Sequence, residues 1–286
     1  MNELRDRVAV VTGAGSGIGR ALAERFAREG MKVALADVDA AALDRAVAEI
    51  TAAGGEAIGV PTDVSSAEQV QALADRTVDA FGGVHVVCNN AGVETGANFS
   101  DIPVAAWEWV LGVNLWGVLH GCRTFLPLIR EQGEGHIVNT GSVASFATGL
   151  PTFAPYTTSK FAVLALSECL EIELRTNGEN IGVSLLAPGV VRTRMPDSER
   201  NRPDEVPSTE EDPLRHEILE MLRAATREAG MDPADVAAQV VDAIRERRFF
   251  VLTHPSDALE AMRKRMRWME TGEAPSTRGP SVGAEA

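Results

Sequence analysis

Tyr156 and Lys160 are the side chains of this sequence best suited to proton chemistry. Tyr156 is the single tyrosine of the 286 residues, and Lys160 follows it by four positions in a segment that Pro155 can open as a helix. Residues four apart in a helix lie on one face, one turn apart. Because a neighbouring ammonium and a helix N-terminus both favour the phenolate, the pair indicates a general acid–base that exchanges a proton with a substrate oxygen.

Two further polar residues are candidates for the same site. Ser142 ends a predicted strand, where its hydroxyl could hold the substrate oxygen beside Tyr156 and stabilise developing charge. Asn114 lies inside a long predicted helix. A lone asparagine in such a place usually bonds to backbone, so its type and position alone give it a structural role.

A glycine-rich run from Thr12 to Gly19 connects the first predicted strand to the first amphipathic helix. Glycines let the chain turn tightly and bring bare backbone close to a pyrophosphate, and a helix N-terminus presents unpaired N–H groups to it. Between a strand and a helix, this run favours a dinucleotide site over a turn that merely requires small residues.

Asp37 closes the second predicted strand and is the candidate for reading the cofactor ribose. A carboxylate there could accept both ribose hydroxyls of NAD and would repel the 2′-phosphate of NADP. Neither Ser16 in the glycine-rich run nor Val38 is basic, so NAD is favoured over NADP. The alternative is a solvated aspartate at a strand end, which is the interpretation favoured for the nearby Asp39.

Polar residues also follow the third and fourth predicted strands. Asp63 and Val64 end the third, and Asn90, Ala91 and Gly92 follow the fourth, where loops line a cofactor groove. Asp63 could accept a hydrogen bond from the adenine amino group. Either group could equally be turn chemistry, because Asp, Asn and Gly are turn formers.

Taken in order, these motifs resemble the short-chain dehydrogenase/reductase (SDR) family in its short single-domain branch. The pattern is Thr-Gly-x3-Gly-x-Gly, Asn-Asn-Ala-Gly, a helical Asn, a Ser, Tyr-x3-Lys and Pro-Gly-x3-Thr, and it covers about residues 5–255. The resemblance implies a seven-stranded parallel sheet and an NAD(P)-dependent oxidoreductase acting on CH–OH donors.

The resemblance also assigns roles to individual residues. Tyr156 would exchange the proton, Ser142 would orient the substrate oxygen, and Lys160 would bind the nicotinamide ribose and tune Tyr156. Asn114 would hold a water that passes protons from Lys160 to solvent. The motifs and the resemblance together assign cofactor binding to Gly13, Ser16, Gly17, Ile18, Gly19, Asp37, Asp63, Val64, Asn90, Ala91, Gly92, Tyr156, Lys160, Pro188, Gly189, Val191 and Thr193. The last four would contact the nicotinamide carboxamide, and no metal site is expected.

The sequence departs from the family pattern in two places. Ser142 precedes Tyr156 by 14 residues, where the family more often has one fewer, so the loop Ser145–Pro155 is predicted to be one residue longer. Ser145 competes with Ser142 for the serine role, but its spacing fits less well. The second departure is an acidic segment, Pro196–Pro213, with an extra C-terminal helix; both resemble a bacterial subset that includes dehydrogenases of bulky aromatic secondary alcohols.

Alternating strand and helix patterns predict the elements that must position these residues. The predicted strands are Val8–Thr12, Lys32–Ala36, Ala57–Pro61, Val84–Cys88, His136–Thr140, Gly182–Ala187 and Phe249–Thr253. The predicted helices between the first six are Ile18–Glu29, Ala41–Ala53, Ala67–Phe81, Val104–Glu131 and Thr157–Thr176. Near-continuous apolar strands that alternate with helices predict a doubly wound α/β Rossmann fold, with one domain over residues 1–270.

The C-terminal third carries the predicted substrate lid, residues 196–230. Pro196–Pro213 has four prolines and seven acids against two arginines, which predicts a surface loop that is disordered or a mobile lid. One helical face with Leu214, Ile218, Leu222 and Ala225 should pack on the body. Asp232 and Pro233 are predicted to open the next helix, with Val236, Val240 and Ile244 inward.

A final helix has an apolar stripe, which predicts core or subunit contact. The stripe comprises Leu259, Met262, Met266 and Met269. Residues 271–286, rich in Gly, Pro, Ser and Ala, predict a disordered tail. Family resemblance implies a homo-oligomer, a dimer or tetramer built on Val104–Glu131 and Thr157–Thr176.

Composition excludes several classes of protein. A net charge of −14 with no basic stripe argues against nucleic-acid binding, and no apolar run approaches the roughly 20 residues that span a bilayer. Met1–Arg7 lacks the apolar centre of a signal peptide, so a cytoplasmic location is expected. Cys88, Cys122 and Cys169 fit neither a disulfide framework nor a zinc site and are interpreted as small buried apolar residues.

The sequence leaves three kinds of function open. The first is interconversion of a secondary alcohol and a ketone with NAD(H), on an apolar or aromatic substrate that Phe146, Leu150, Phe153 and Met195 would contact, although these could equally just pack the loops. Within enzymes, an acyl-thioester ketoreductase or a sugar dehydrogenase fits the same scaffold. The non-enzymatic rival is an NAD(H)-sensing regulatory protein, which would be expected to have lost at least one of Ser142, Tyr156 and Lys160.

Overall fold

Seven parallel strands form one sheet at the centre of the described chain, which in this computed structural model comprises residues 1, 3–147 and 150–274. The strands are β1 Val8–Thr12, β2 Lys32–Asp37, β3 Glu56–Pro61, β4 Val86–Asn89, β5 Gly135–Thr140, β6 Ile181–Ala187 and β7 Phe250–Leu252. Their order is β3-β2-β1-β4-β5-β6-β7. The predicted doubly wound α/β fold is confirmed, and the strands lie within two residues of their predicted bounds.

Helices cover both faces of the sheet. They are α1 Gly17–Arg28, α2 Ala40–Ala52, α3 Ala67–Phe81, α4 Val104–Leu111, α5 Gly117–Gln132, α6 Ala154–Thr176, α7 Pro213–Ala229, α8 Pro233–Glu246 and α9 Pro255–Thr271. Val11 of β1 packs with α1, α2 and α8, whereas its neighbour Val10 packs with α3, α5 and α6. Because successive side chains of a strand point to opposite faces, both faces of β1 must be apolar, and all five of its residues are buried.

The topology places the functional motifs at one edge. Strand order reverses between β1 and β4, and crevices in such sheets open at the carboxyl ends of the strands on either side of that point. Side chains tie the two strand ends together there. The Thr12 hydroxyl accepts from the backbone N–H groups of Asn90 and Ala91, at 2.9 and 3.0 Å.

The predicted long helix Val104–Glu131 is wrong as a single element. It consists of α4 and α5 joined by a π-helical turn, Gly112–Trp116, and Asn114 lies in that turn. A π turn leaves the regular ladder of helical hydrogen bonds and is common at functional sites. The predicted helix Thr157–Thr176 begins three residues earlier, at Ala154, so Tyr156 lies in the first turn of α6.

The acidic segment Pro196–Pro213 is folded, so of the two predicted alternatives the disordered loop is wrong, and the role of the segment as a lid stays a prediction. It begins within a short 3-10 helix, Met195–Asn201, and leads to Asp212, the N-cap of α7, whose side chain accepts from the Arg215 N–H. Glu199 holds the segment to the body, because its carboxylate accepts from the hydroxyls of Thr95 and Thr209 at 2.6 and 3.0 Å. We call residues 195–229 the lid segment.

The inward face of α7 also differs from the prediction. Ile218 is buried as expected, but Leu219 and Arg215 are buried with it, whereas Leu214 is 39% exposed. The following helix agrees with the sequence. The side chain of Asp232 caps α8 by accepting from the Ala234 N–H, and the three predicted inward residues are fully buried.

The apolar stripe of α9 is exposed, so its interpretation as core is wrong. Met269 is 81% exposed, the other three residues are 40–56% exposed, and within α9 only Ala258 is buried. The helix continues to Thr271, one residue into the predicted tail, and residues 275–286 of that tail lie outside the described residues.

The predictions for the cysteines and for membrane spans can also be compared with the structure. Cys88 and Cys122 are buried, but Cys169 is exposed, so it is not the buried residue that the sequence indicates. Among the described helices, none combines the length and apolar character needed to cross a membrane.

Candidate active site

A cleft of about 1910 Å³ opens at the carboxyl ends of the strands. It extends from the glycine-rich turn after β1, past the ends of β4 and β5, to the lid segment and α9. Every residue predicted to bind cofactor lines it except Gly19, and three of the four predicted catalytic residues line it: Ser142, Tyr156 and Lys160.

The glycine-rich turn presents bare backbone to this cleft. Gly13 has φ +66°, and a Cβ there would lie 2.9 Å from the Ala91 Cα; Gly17 has φ +53°, and a Cβ there would lie 3.0 Å from Thr193 Cγ2. A side chain at either position would be strained by its backbone and crowded by its neighbour. The turn leads into the N-terminus of α1, where Ser16 is the N-cap without a side-chain capping bond. Unpaired N–H groups in a shallow cradle fit the diphosphate of a dinucleotide.

Asp37 lies at the end of β2 against the same turn. Its Oδ2 accepts from the Gly15 N–H at 2.8 Å, and its Oδ1 accepts from the Asp39 N–H at 3.0 Å. These contacts fix the carboxylate at the wall of the cleft, where a ribose would reach it. Asp39 is more than a solvated residue, since it caps α2 by accepting from the Ala42 N–H.

Asp63 and Asn90 both line the cleft, but only Asp63 makes the turn contacts predicted as its alternative role, whereas Asn90 bonds across to the end of β1. Asp63 Oδ1 accepts from both the backbone N–H and the hydroxyl of Ser65, at 2.9 and 2.7 Å. Asn90 donates from Nδ2 to the Thr12 carbonyl at 3.0 Å. The protein's own hydrogen bonds therefore position both side chains at the cleft.

Gly19 and Asn114 do not line the cleft. A Cβ on Gly19 would collide with the Gly13 carbonyl, so this glycine permits close packing beneath the turn. Asn114 is fully buried; its Oδ1 accepts from the Val93 N–H, and its Nδ2 donates to the Val93 carbonyl and the Ser159 hydroxyl, all within 3.0 Å. Its side chain thus fastens the loop after β4 to α6, and its role as a water holder stays a prediction.

Tyr156 and Lys160 are brought together by the first turns of α6. Lys160 is 2% exposed, its Nζ lies 5.5 Å from the centroid of the Tyr156 ring, and it donates to the Thr140 carbonyl at 2.9 Å. The edge-to-face contact between Tyr156 and Phe153, with centroids 6.1 Å apart, sets the orientation of the phenol. Gly92 faces the pair, because a Cβ there would lie 3.7 Å from Lys160 Nζ.

Burial is the main influence on the acidities of both groups. It raises the pKa of Tyr156 to about 12, while the Ser142 hydroxyl acts to lower this pKa and the Glu94 carboxylate acts to raise it. Burial also lowers the pKa of Lys160 to about 8. The sequence predicted a lowered tyrosine pKa; it is raised instead because burial disfavours the phenolate, and the Lys160 ammonium donates to the Thr140 carbonyl rather than to the phenol.

The two candidate serines have different environments. Ser142 lines the cleft, accepts from the Ala144 N–H at 3.1 Å and donates weakly to the Pro188 carbonyl at 3.4 Å. Ser145 is fully buried, and its hydroxyl donates to the Lys160 carbonyl at 2.8 Å and accepts from the Ser142 N–H. Only Ser142 can therefore reach a ligand, whereas Ser145 holds the strand end against α6. Within the loop Ser145–Pro155, positions 148 and 149 lie outside the described residues.

The far end of the cleft is mainly apolar and includes all four side chains predicted for the substrate loops. These are Phe146, Leu150, Phe153 and Met195. Sequence reasoning missed two charged residues beside them. Glu94 lines the cleft, and Arg215 of α7 pairs with it at 2.5 Å; burial raises the pKa of Glu94 to about 7, although Arg215 acts to lower it. A signal for Arg215 existed, since it lies three positions before Ile218 on the same helical face.

Comparison with known proteins gives a consistent result. Residues 7–204 match the family model described as short chain dehydrogenase. A short chain dehydrogenase/reductase from Burkholderia phymatum, solved in complex with NAD, superposes with a TM-score of 0.91 at 44% identity, with 100% of both chains covered.

Two kinds of curated relative are similar in sequence. The 1-deoxy-11-beta-hydroxypentalenate dehydrogenase of Streptomyces exfoliatus is 38% identical over 89% of this chain and 85% of its own length. Probable oxidoreductase EphD of Mycobacterium tuberculosis is 39% identical over 85% of this chain. The match spans only 40% of that mycobacterial protein's length.

Proposed function

The chain belongs to the short-chain dehydrogenase family, and from this premise we propose that it is an oxidoreductase that moves a hydride between NAD(H) and a secondary alcohol or its ketone. The observation that carries the proposal is the meeting of Tyr156, Lys160 and Ser142 in one cleft with a glycine-lined groove. A sensor protein would need the groove alone. A half-buried phenol beside a buried ammonium, with the Ser142 hydroxyl at the same cleft, is a set of groups suited to proton transfer.

Different residues of the chain would bind the cofactor, orient the substrate and transfer the proton. The nicotinamide cofactor, when bound, supplies the hydride or accepts it. Gly13, Gly17 and Asp37 would hold its diphosphate and ribose. Ser142 would donate to the substrate oxygen, and Tyr156 would give that oxygen its proton in reduction or take the proton in oxidation.

Lys160 would make Tyr156 a better acid. Lowering a phenol pKa from about 12 to about 7 requires about 7 kcal/mol of preferential stabilisation of the phenolate. Solvent cannot supply this in a buried site, so a positive charge must approach the phenol. Lys160 is one helical turn away and is held by a single carbonyl contact, from which it can turn toward the tyrosine and the nicotinamide ribose.

The position of Asp37 supports NAD as the cofactor. Its carboxylate is fixed at the wall of the cleft by the Gly15 and Asp39 N–H groups. A 2′-phosphate would bring two negative charges against it, whereas a 2′-hydroxyl could donate to it. The Burkholderia relative solved with NAD is in keeping with this preference.

The proposed substrate is an apolar or aromatic secondary alcohol or ketone. Phe146 and Phe153 are buried, each 6% exposed, and line the cleft with Leu150 and Met195. The Streptomyces relative is named for a hydroxypentalenate, which fits an alcohol carried on a larger skeleton. A sugar would leave many hydroxyls facing apolar side chains, and unsatisfied polar groups disfavour that alternative.

The same proposal includes an assembly and a location. Trp116 and Ile172, on or beside the helices predicted to form the subunit contact, are more than half exposed, which supports a homo-oligomer, dimer or tetramer. The three cysteines are free, in keeping with a cytoplasmic location.

A turnover assay with Tyr156→Phe tests the proposal. NADH absorbance is followed with a panel of aryl ketones, other ketones and sugars, and NADH binding is measured separately by calorimetry. We expect the substitution to lower turnover by about 10²- to 10⁴-fold while NADH binding persists, because only the proton partner is lost. Turnover that is unchanged in the variant would overturn the assignment of Tyr156. NADH binding with no turnover of any compound would favour the sensor.

A further inference from the structure

Two arginines at the start of the lid, Arg194 and Arg200, line the cleft. They share it with Gly13, Gly17 and Asp37, although they lie far from these residues in sequence. Arg194 immediately precedes the 3-10 helix Met195–Asn201, which contains Arg200 and opens the lid segment. The lid therefore presents two positive side chains to the groove that the glycine-rich turn lines from the other side.

Contacts of the neighbouring residues fix this position. Thr193 packs on the phosphate turn, since a Cβ on Gly17 would lie 3.0 Å from its Cγ2. The Thr193 hydroxyl also accepts from the Met195 N–H at 3.3 Å. Arg194, between these two residues, is therefore anchored beside the turn where a diphosphate would bind.

Arg200 is held in the same place by the lid backbone. Its Nη1 donates to the carbonyls of Arg194 and Asp197, at 2.7 and 2.9 Å. These bonds occupy one nitrogen of the guanidinium and fix its plane, while the other two nitrogens make no hydrogen bond to any described residue. A guanidinium pinned in this way is pre-organised for a second, bidentate contact.

Neither arginine has a carboxylate partner within 4 Å among the described residues, whereas the arginines on either side of them do. Arg192 pairs with Asp232 at 2.6 Å, and Arg202 pairs with Glu199 at 3.7 Å. Two cationic side chains without carboxylate partners therefore line a cleft in a protein of net charge −14.

Several charged groups around Arg200 affect its pKa. Burial and the like charge of Arg194 lower the pKa of Arg200, whereas Asp197, Asp37 and Asp39 act to raise it. Arg200 thus lies within electrostatic range of Asp37, the proposed ribose contact, but forms no ion pair with it. An anion between these arginines and the glycine-rich turn would relieve the repulsion between their charges.

We propose that Arg194 and Arg200 bind the diphosphate of the dinucleotide from the lid side, opposite the backbone N–H groups of the glycine-rich turn. This inference rests on the proposed nicotinamide cofactor and adds that the cofactor fastens the lid. Since Arg200 belongs to the lid segment and Arg194 immediately precedes it, a diphosphate held by both would link the lid to α1. By thermodynamic reciprocity, a lid fastened in this way also retains the cofactor more tightly.

Calorimetric binding tests this without turnover. NADH and ADP-ribose, which keeps the diphosphate but lacks nicotinamide, are titrated into the intact protein, Arg194→Met and Arg200→Met. We expect the Kd of both ligands to rise about tenfold or more in each variant, because each loses a charge-assisted contact to phosphate. Arg192→Met is the matched control, since Arg192 lies two positions before Arg194 but pairs with Asp232.

A lysine substitution at Arg200 and a hydrogen-exchange measurement separate loss of charge from loss of structure. Arg200→Lys retains the charge and should recover part of the lost affinity. Hydrogen exchange of residues 195–201 should slow when ADP-ribose binds the intact protein and should not slow in Arg200→Met.

Several results would overturn the assignment. Equal affinity of the intact protein and the variants for ADP-ribose would do so, as would a loss of affinity for adenosine as large as that for ADP-ribose. Weakened binding of NADPH alone would place the 2′-phosphate, rather than the diphosphate, on these arginines. If the intact protein binds neither NADH nor NADPH, the proposed function itself fails, which is a different outcome.

Discussion

Arg215 Nη2 lies 2.5 Å from Glu94 Oε1, and the two side chains are 1% and 3% exposed. This ion pair connects α7 of the lid segment to the loop that follows β4. The Arg215 guanidinium also lies 4.7 Å from the centroid of the Phe153 ring, and Phe153 contacts Tyr156 edge to face. The lid is thus joined through two side chains to the tyrosine that is proposed to transfer the proton.

Arg215→Met should loosen the lid. Removing one partner of a buried ion pair leaves the other uncompensated, and we expect a loss of about 3–5 kcal/mol in the free energy of unfolding. The KM for the ketone should rise more than kcat falls, because the proton chemistry remains intact. Urea unfolding and steady-state kinetics measure both effects.

A substitution at Arg227 provides the control. This residue is exposed in the last turn of the same helix, so Arg227→Met changes the charge of α7 without breaking a buried contact. Equal effects of the two substitutions would show that the pair with Glu94 does not hold the lid.

Asp37→Ala should increase tolerance for NADP. Removing the carboxylate removes its repulsion of a 2′-phosphate and its bond to a 2′-hydroxyl, so kcat/KM should rise for NADP and fall for NAD. The Gly15 N–H also loses its acceptor, which adds a small cost to binding either cofactor. The ratio of the two kcat/KM values is the measurement.

Asp39→Ala separates the ribose contact from helix capping. Asp39 caps α2, and its loss should cost about 1 kcal/mol of stability without changing cofactor preference. A shift in preference from Asp39→Ala as large as that from Asp37→Ala would mean that general negative charge, rather than the Asp37 carboxylate, selects the cofactor.

Much of the site could be predicted from the sequence because its decisive relationships are local. The spacing of Tyr156 and Lys160 defines their shared helical face, and the glycine-rich run lies between a strand and a helix that periodicity predicts well. Strand order at the sheet centre then follows from the family resemblance. Short stretches of chain that fold in a standard way position these candidate residues.

The remaining features depend on contacts between distant segments. Glu94 and Arg215 are 121 positions apart, and nothing near either one indicates its partner. Asn114 in the π turn bonds to Val93 and Ser159, which are 21 and 45 positions away, and hydrophobic periodicity does not indicate such contacts. The lid segment is folded through Glu199 in spite of a composition typical of disorder.

Ser142→Ala and Ser145→Ala should have different consequences. Ser142 lines the cleft, so its loss should lower kcat by about 10²-fold or more and leave stability nearly unchanged. Ser145 is buried with two hydrogen bonds, so its loss should cost about 1–3 kcal/mol in unfolding free energy. Kinetics at saturating cofactor and urea denaturation of both variants are the measurements. The reverse pattern would make Ser145 the residue that contacts the substrate oxygen.

Lys160→Met should change how stability depends on pH. The pKa of Lys160 is lowered from 10.5 to about 8 by burial, so between these values the unfolded chain binds one more proton than the native protein. Stability linked to this group therefore rises with pH over that window and is lost as pH falls through 8. The shift corresponds to about 3 kcal/mol.

The measurement is the difference in unfolding free energy between the intact protein and Lys160→Met, taken by urea denaturation at intervals from pH 7.5 to 10.5. We expect this difference to move in favour of the intact protein by about 3 kcal/mol as pH rises, because only the intact protein is relieved of a buried charge. Lys264→Met, on the exposed face of α9, should leave the difference constant. A constant difference for Lys160→Met as well would show that the Thr140 carbonyl compensates the buried ammonium fully, and that Lys160 enters catalysis with an ordinary pKa.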